Sequence, residues 1–300
     1  GDLQGNAARN VARTKELARI LSLLEAHRIE AMPHKGAALA MLAYGDVALR
    51  HFVDLDILVH KGDVLPAARL LAAFLDQHCE YALSRDGDGS SVRLHWEIVP
   101  PALGLPVATG WPWESTRSVS LRGQTILTPS PEDLLVILCV HGSKHLWNRL
   151  GWICDVAELI RAHPDLDWPR AVTRARVLGG TRMLRLGLWL AAELLEANLP
   201  PPVRDQIAAD HLTRALGTRI GQGLAEGTVP PERSLAMLRL HLAMRERLRD
   251  KIRYGWRRAF TGTLEDWEAV PLPGSLFFLY GFLRPLRLAR KHGRTILRGR

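Results

Sequence analysis

The chain reads as an α+β protein on three observations. Short runs with β character are gathered before residue 129, helical patterns fill almost everything after it, and turn residues punctuate both halves. With 300 residues and 47% hydrophobic content there is enough apolar material for one large or two modest cores. The simplest division is a mixed α/β part over residues 1–128, opened by a helix, and a helical part over residues 129–300.

In order, Val11, Leu17, Ile20, Leu21 and Leu24 recur at helical spacing, which predicts an amphipathic helix over 7–28. Ile29 to Met32 reads as a short strand closed by Pro33. A helix from Ala37 to Ala43 follows, stopped by Tyr44-Gly45-Asp46. Asp54 to Val59 alternates as a strand should, and Lys61-Gly62-Asp63 turns it into a helix over Val64 to Gln77. Cys79 to Ser84 and Val92 to Val99 are further strands, separated by the turn Arg85 to Ser90. Trp111-Pro112-Trp113 lies in an irregular connection and suits packing under a loop. Val119 to Thr128 reads as a hairpin around Arg122-Gly123-Gln124. Ser130-Pro131-Glu132-Asp133 is a helix start, with an N-cap serine and a first-turn proline. Helices are then expected over 133–150, 153–163, 168–177, 182–197, 203–208, 212–224, 232–256 and 275–291, divided by Gly and Pro clusters.

The chemistry concentrates between Ile29 and His60. Asp54 and Asp56 share one face of a strand while Leu55 and Ile57 point into a core. Two such carboxylates repel unless a cation sits between them, and Mg²⁺ is the usual partner where carboxylates meet phosphates. Upstream, Lys35-Gly36 precedes a helix-forming run, so the amides of Gly36 and Ala37 can stand at a helix N-terminus, which holds phosphate.

Phosphate cradle, helix and then an Asp-x-Asp strand, here Lys35-Gly36, Arg50 and Asp54-Leu55-Asp56, resemble the bacterial uncharacterised nucleotidyltransferases of the DNA polymerase beta-like superfamily. Further matching segments are Leu94-His95-Trp96, the stretch from His141 to Leu150 followed by Asp155, and Leu283 to Arg287. The resemblance implies a small palm-like mixed sheet followed by a helical domain. It also implies a transferase that moves a nucleoside monophosphate from a nucleoside triphosphate (NTP), with Asp54 and Asp56 holding Mg²⁺ and Lys35 and Arg50 meeting phosphate. The acceptor stays open: a small molecule, a sugar, a peptide or an RNA end.

In one place the pattern breaks. The residue before Leu-His-Trp is usually acidic in the family and accepts the acceptor's proton, whereas this chain has Arg93. By alternation His95 and Glu97 share its face, with Glu97 roughly 13 Å along the strand. Either a bulge brings Glu97 inward, or His95 is the base, or activity is weakened or lost. A non-catalytic nucleotide- or polyanion-binding protein on the same fold is the alternative.

His141 and His145, four apart, suggest a zinc pair with Asp155, but no Glu follows His141 in a His-Glu-x-x-His arrangement. A cleft-lining helix is the preferred reading, with Ser143, Lys144 and His145 meeting triphosphate or ribose. Cys79, Cys139 and Cys154 lack metal-ligand spacing, which predicts reduced thiols in a cytoplasmic protein. No apolar run approaches the ~20 residues of a membrane span, and no secretory signal is expected. Residues 231–300 carry 16 Lys and Arg against 6 Asp and Glu. This C-terminal basicity suggests contact with a polyanion (nucleic acid such as RNA, a phosphorylated ligand or an anionic membrane surface) or a solvated helical face.

Overall fold

The computed structural model describes residues 3–72, 76–77, 82–84, 91–99, 103–107, 110–228, 230 and 234–260. A long helix, α1 (Leu3–Ala26), leads into strand β1 (Ala31–Pro33). Helix α2 (Gly36–Leu39) continues without a break as a π-helical turn, Ala40–Tyr44, and ends at Gly45 with φ +73°. Strand β2 (Asp54–Val59), helix α3 (Val64–Ala72) and strands β3 (Asp76–Gln77), β4 (Ala82–Ser84) and β5 (Ser91–His95) complete a sheet of order β1-β2-β5-β4-β3. The β2–β5 pair is parallel and the other three are antiparallel, so the sheet is mixed.

The period-2 pattern of β2 decides what lies on either side of the sheet. Leu55, Ile57 and Val59 join a core with Leu17, Ile20 and Leu24 of α1 and Leu71 of α3. Asp54, Asp56 and Leu58 take the opposite face, where Leu58 and Met32 are buried in a second core built mainly by the later helices. The helical half therefore closes over the face that carries the carboxylates.

A hairpin of β6 (Thr116–Leu121) and β7 (Gln124–Pro129) turns at Arg122 and Gly123, with φ +54° and +84° as a type I′ turn requires. Helices α4 (Pro131–Lys144), α5 (Leu150–Ala162), α6 (Trp168–Val177), α7 (Thr181–Leu195), α8 (Pro201–Ala209), α9 (His211–Glu226), α10 (Leu235–Ala243) and α11 (Leu248–Phe260) follow. Ser130 caps α4 by accepting from the Asp133 amide at 3.3 Å. Trp111 is buried in the core built mainly by the later helices and donates to Asp133 at 2.8 Å.

Four elements depart from the sequence reading. The helix expected to reach Gln77 gives way, and Asp76–Gln77 pairs with β4. The strand expected to reach Val99 ends at His95. The helix expected over 133–150 stops at Lys144 in a Schellman motif: Trp147 N–H reaches Gly142 O at 2.8 Å and Leu146 N–H reaches Ser143 O at 3.2 Å. Leu146 and Trp147 take φ +54° where glycine is the usual signal, so the stop leaves no mark in the sequence. The helix expected over 232–256 divides at Met244–Arg247 into α10 and α11, because buried Arg245 turns inward to donate to Leu103 O at 2.6 Å. The expected turn at 85–90, the helix over 275–291 and Leu283 to Arg287 lie outside the described residues. No helix among the described residues is long and apolar enough to cross a membrane.

Trp147 explains why the α4 break matters. Its ring is fully buried between α4 and α7, and glycines make the slot. A β-carbon on Gly142 would lie 2.5 Å from the ring, and one on Gly187 would lie 2.9 Å from it and 2.5 Å from Cys139 Sγ. Gly187→Ala should cost roughly 1–3 kcal/mol by overpacking. Gly255→Ala, at a helical position whose β-carbon would meet nothing within 4 Å, should be neutral or slightly stabilising. Urea unfolding of the two variants makes the comparison.

His241 ties α10 to the end of α4. Its Nε2–H donates to Lys144 O at 3.1 Å while Nδ1 accepts from Tyr254 Oη at 2.6 Å, the arrangement of a neutral ring. Burial, followed by neighbouring Arg245, pulls the imidazole down to about 4. The unfolded ring, with an ordinary value of ~6.5, binds a proton that the folded ring refuses. Stability contributed this way is present above ~6.5 and is lost as pH falls toward about 4. His241→Gln should lower the melting temperature at pH 7 and flatten its decline between pH 6.5 and 4.5, measured by thermal melting across that range.

Candidate active site

The sheet brings β2 and β5 side by side, with Asp56 opposite Arg93 and Leu58 opposite His95. Arg93 Nη2 lies 3.0 Å from Asp54 Oδ2, and His95 Nε2–H donates to Asp56 Oδ1 at 2.8 Å. Each carboxylate thus has a basic partner from β5. The two differ in depth, with the Asp54 side chain 29% exposed and that of Asp56 12%. Asp56 is therefore closer to a buried charge than to a cleft-facing one. Burial drives its carboxyl upward, but Lys35, the His95 hydrogen bond and His34 outweigh burial and hold it well below the ordinary carboxylate range.

Lys35 and His34 come from the turn between β1 and α2. The His34 amide reaches Asp56 O at 3.4 Å, which fastens this turn to β2. Gly36 has φ +55°, and a β-carbon there would meet Asp54 O at 3.3 Å and the Phe52 ring at 3.6 Å. Only glycine takes that conformation at that spacing without strain. No side chain caps the first turn of α2, so the amides of Gly36 and Ala37 start the helix directly against the carboxylate strand. Lys35 Nζ donates to His141 Nδ1 at 3.3 Å. Burial holds the Lys35 ammonium below its ordinary value, and the Asp56 charge only partly offsets this. Burial, then Lys35, holds the His141 imidazole far below its ordinary value, in keeping with an Nδ1 that accepts.

Arg50 makes a two-pronged pair with Asp155 of α5, Nε to Oδ1 at 2.7 Å and Nη2 to Oδ2 at 2.8 Å. Tyr44 Oη adds a bond of 2.9 Å to the same carboxylate. Burial opposes the Arg50 charge and Asp155 more than offsets it, so the guanidinium stays above its ordinary value. Arg50 therefore fastens the early layer to α5, and its Nη1 remains buried without a hydrogen-bond partner.

The other candidates fall in different places. Ser143 is fully buried inside α4, its Oγ without a partner, and Lys144 closes that helix. His145 caps it with its ring 4.9 Å from that of His141, and Trp152 packs against both at 5.1 and 5.2 Å. Burial, then Lys144, pulls His145 down to about 4. Glu97 lies two residues beyond the end of β5. Since Arg50 and Tyr44 occupy Asp155, the His141, His145 and Asp155 set does not assemble. Among the described residues the group of three close metal-ligating side chains is His34, Asp56 and His95. Sequence reasoning passed over His34 and Tyr44. For His34 the available signal was its place between a strand end and the Lys-Gly pair.

Asp54 and Asp56 suit a hard divalent cation, since Mg²⁺ is commonly held by one or two carboxylates and completes its shell with phosphate oxygens and water. The obstacle is the Arg93–Asp54 pair. The Arg93 side chain is 52% exposed, so it can swing toward solvent and release Asp54.

Two solved structures resemble the chain. One is the antibiotic-resistance factor ANT(2'')-Ia, 15% identical over 56% of this chain and 91% of that one, with a TM-score of 0.39. The other is an antigenic nucleotidyltransferase-like protein from Paracoccidioides brasiliensis, 16% identical over 65% of this chain and 92% of that one, with a TM-score of 0.43. No curated protein matches the chain. The Uncharacterised nucleotidyltransferase family matches residues 1–196, a span holding the Lys35-Gly36 turn, the Asp54 and Asp56 strand and the Arg50–Asp155 clamp, and the chain belongs to that family.

Proposed function

We propose that the protein transfers a nucleoside monophosphate from a nucleoside triphosphate to an acceptor hydroxyl or phosphate. The observation that carries this reading is the close seating of two unlike groups: the uncapped glycine start of α2 lies against the backbone of the strand that presents Asp54 and Asp56. Amides there face the terminal phosphates while the carboxylates face the α-phosphate end. Lys35, whose ammonium interacts favourably with the Asp56 charge, supplies positive charge where the pyrophosphate leaves. When bound at Asp54 and Asp56, Mg²⁺ supplies charge neutralisation of the triphosphate and of the leaving group. Arg50, committed to Asp155, positions the helical wall of the site and does not bind phosphate first-hand.

Acceptor activation is the weak point of this chain. Arg93 stands where a third carboxylate would take the acceptor's proton, and it pairs with Asp54 instead. Glu97 is past the end of the strand. Transfer is therefore slow, with nucleotide binding better preserved than turnover, because general-base help is typically worth roughly 10²- to 10⁴-fold.

Asp54→Asn should weaken Mg²⁺-dependent triphosphate binding by about tenfold or more with little change in melting temperature, as expected for the more exposed carboxylate. Asp56→Asn should weaken it similarly and also lower the melting temperature, because it removes the negative charge beside buried Lys35 and the carboxylate that His95 bonds. Titration calorimetry with each NTP, beside thermal melting, reads both quantities. Unchanged binding in both variants would remove the carboxylates from the site.

Arg93→Asp should tighten Mg²⁺ and raise turnover by up to roughly 10²- to 10⁴-fold. Pyrophosphate release across a panel of hydroxyl and phosphate acceptors measures it. A fast wild-type enzyme, or no gain in either property from Arg93→Asp, would contradict the role given to Arg93.

A further inference from the structure

We infer that His34, Asp56 and His95 form a binding site for a nitrogen-preferring divalent cation of the Zn²⁺ or Co²⁺ kind, which shares the Asp56 carboxylate with the Asp54 and Asp56 pair offered to Mg²⁺ and differs from it by two imidazoles. One donor atom from each of the three side chains lies within 4.8 Å of the other two. They come from three parts of the early layer: the turn after β1, the carboxylate strand β2 and its parallel neighbour β5. A tetrahedral zinc ion with bonds of about 2.0–2.1 Å sets its ligand atoms roughly 3.3 Å apart. The Asp56–His95 pair, at 2.8 Å, is already inside that spacing, and rotation of the imidazoles closes the rest.

His34 supplies the independent sign of a ligand. Its side chain is 1% exposed, yet Nδ1 is buried without a hydrogen-bond partner. Leaving such a nitrogen unpaired is unfavourable by roughly 1–3 kcal/mol, and a metal bond removes that deficit. The ring stands edge-on to His95, with centroids 5.2 Å apart at 83°, and both imidazoles bring a nitrogen within 4.8 Å of an Asp56 carboxylate oxygen. Two nitrogens and one oxygen favour zinc, cobalt or iron, whereas Mg²⁺ prefers oxygen throughout. Three protein ligands leave a position open, as in zinc sites that act on a bound oxygen. On this assignment His95 holds a cation and is not a proton acceptor.

Zinc binding at these three side chains requires no nucleotide, so it is tested with metal alone on the full chain. Chelator-treated wild-type protein should bind one Zn²⁺ in competition with a chromophoric chelator, and a hundredfold excess of Mg²⁺ should not displace it. His34→Ala and His95→Ala should each weaken Zn²⁺ by about 100-fold or more, given that even outer-shell losses reach 10–100-fold. A double variant of His141→Ala and His145→Ala should bind as wild type. Absence of zinc binding to the wild type, unchanged affinity in His34→Ala, or loss of affinity only in the His141 and His145 variant would overturn the assignment. Should His34→Ala fail to fold, X-ray absorption of the Zn²⁺-loaded His141→Ala and His145→Ala double variant decides: two imidazoles in the zinc shell support the site, and none or one refutes it.

Discussion

Everything around the candidate site follows from keeping the Asp56 carboxylate charged while it is largely buried. Burial works against that charge, and three positive or polar partners from two directions reverse the balance: Lys35 and His34 from the turn before α2, and His95 from β5. Each partner then inherits a constraint. Lys35 must stay close although its own charge is disfavoured there, and it meets His141, which burial keeps neutral. His34 is packed so deeply that its Nδ1 goes without a partner. A single ionised group thus fixes the position of the glycine turn, the parallel strand pair and the end of α4 nearest the sheet.

Two buried devices hold the helical half against that arrangement. The Arg50, Tyr44 and Asp155 clamp joins the segment before β2 to α5 by three hydrogen bonds of 2.7 to 2.9 Å. Trp147 fills a slot between α4 and α7 that glycines alone leave open. The first bears on function because Asp155 and Asp56 both attract Arg50, so the clamp sits within electrostatic reach of the site. The second bears on it through sequence proximity, since the turn that aims Trp147 inward also ends α4 at His145, beside His141. Packing and charge are coupled here, and loosening either half would move Lys35.

What could be read from the sequence is what depends on local pattern. Alternation placed Asp54 and Asp56 on one face and Leu55 and Ile57 on the other, and the structure keeps that order. The N-cap at Ser130 and the breaks at Gly and Pro were equally local, and helix α6 has the limits that spacing suggested. The remainder depends on groups far apart in the chain. Arg50 meets Asp155 across 105 residues, and Lys35 meets His141 across 106, distances that no periodicity reaches. Leu146 and Trp147 adopt a left-handed backbone without glycine, because burial of the Trp147 ring outweighs the local preference. His34 was hidden for a related reason: a histidine beside a proline reads as a loop residue until the sheet is assembled over it.

The account rests on a triphosphate lying between the start of α2 and the carboxylate face of β2. The most direct measurement is a crystal structure of the wild-type protein grown with Mg²⁺ and a non-hydrolysable nucleoside triphosphate analogue. The account requires the terminal phosphates at the amides of Gly36 and Ala37, the α-phosphate facing Asp54 and Asp56, and Arg93 turned away from Asp54. Nucleotide bound elsewhere, or bound with the Arg93–Asp54 pair intact and no contact at Gly36, would contradict it.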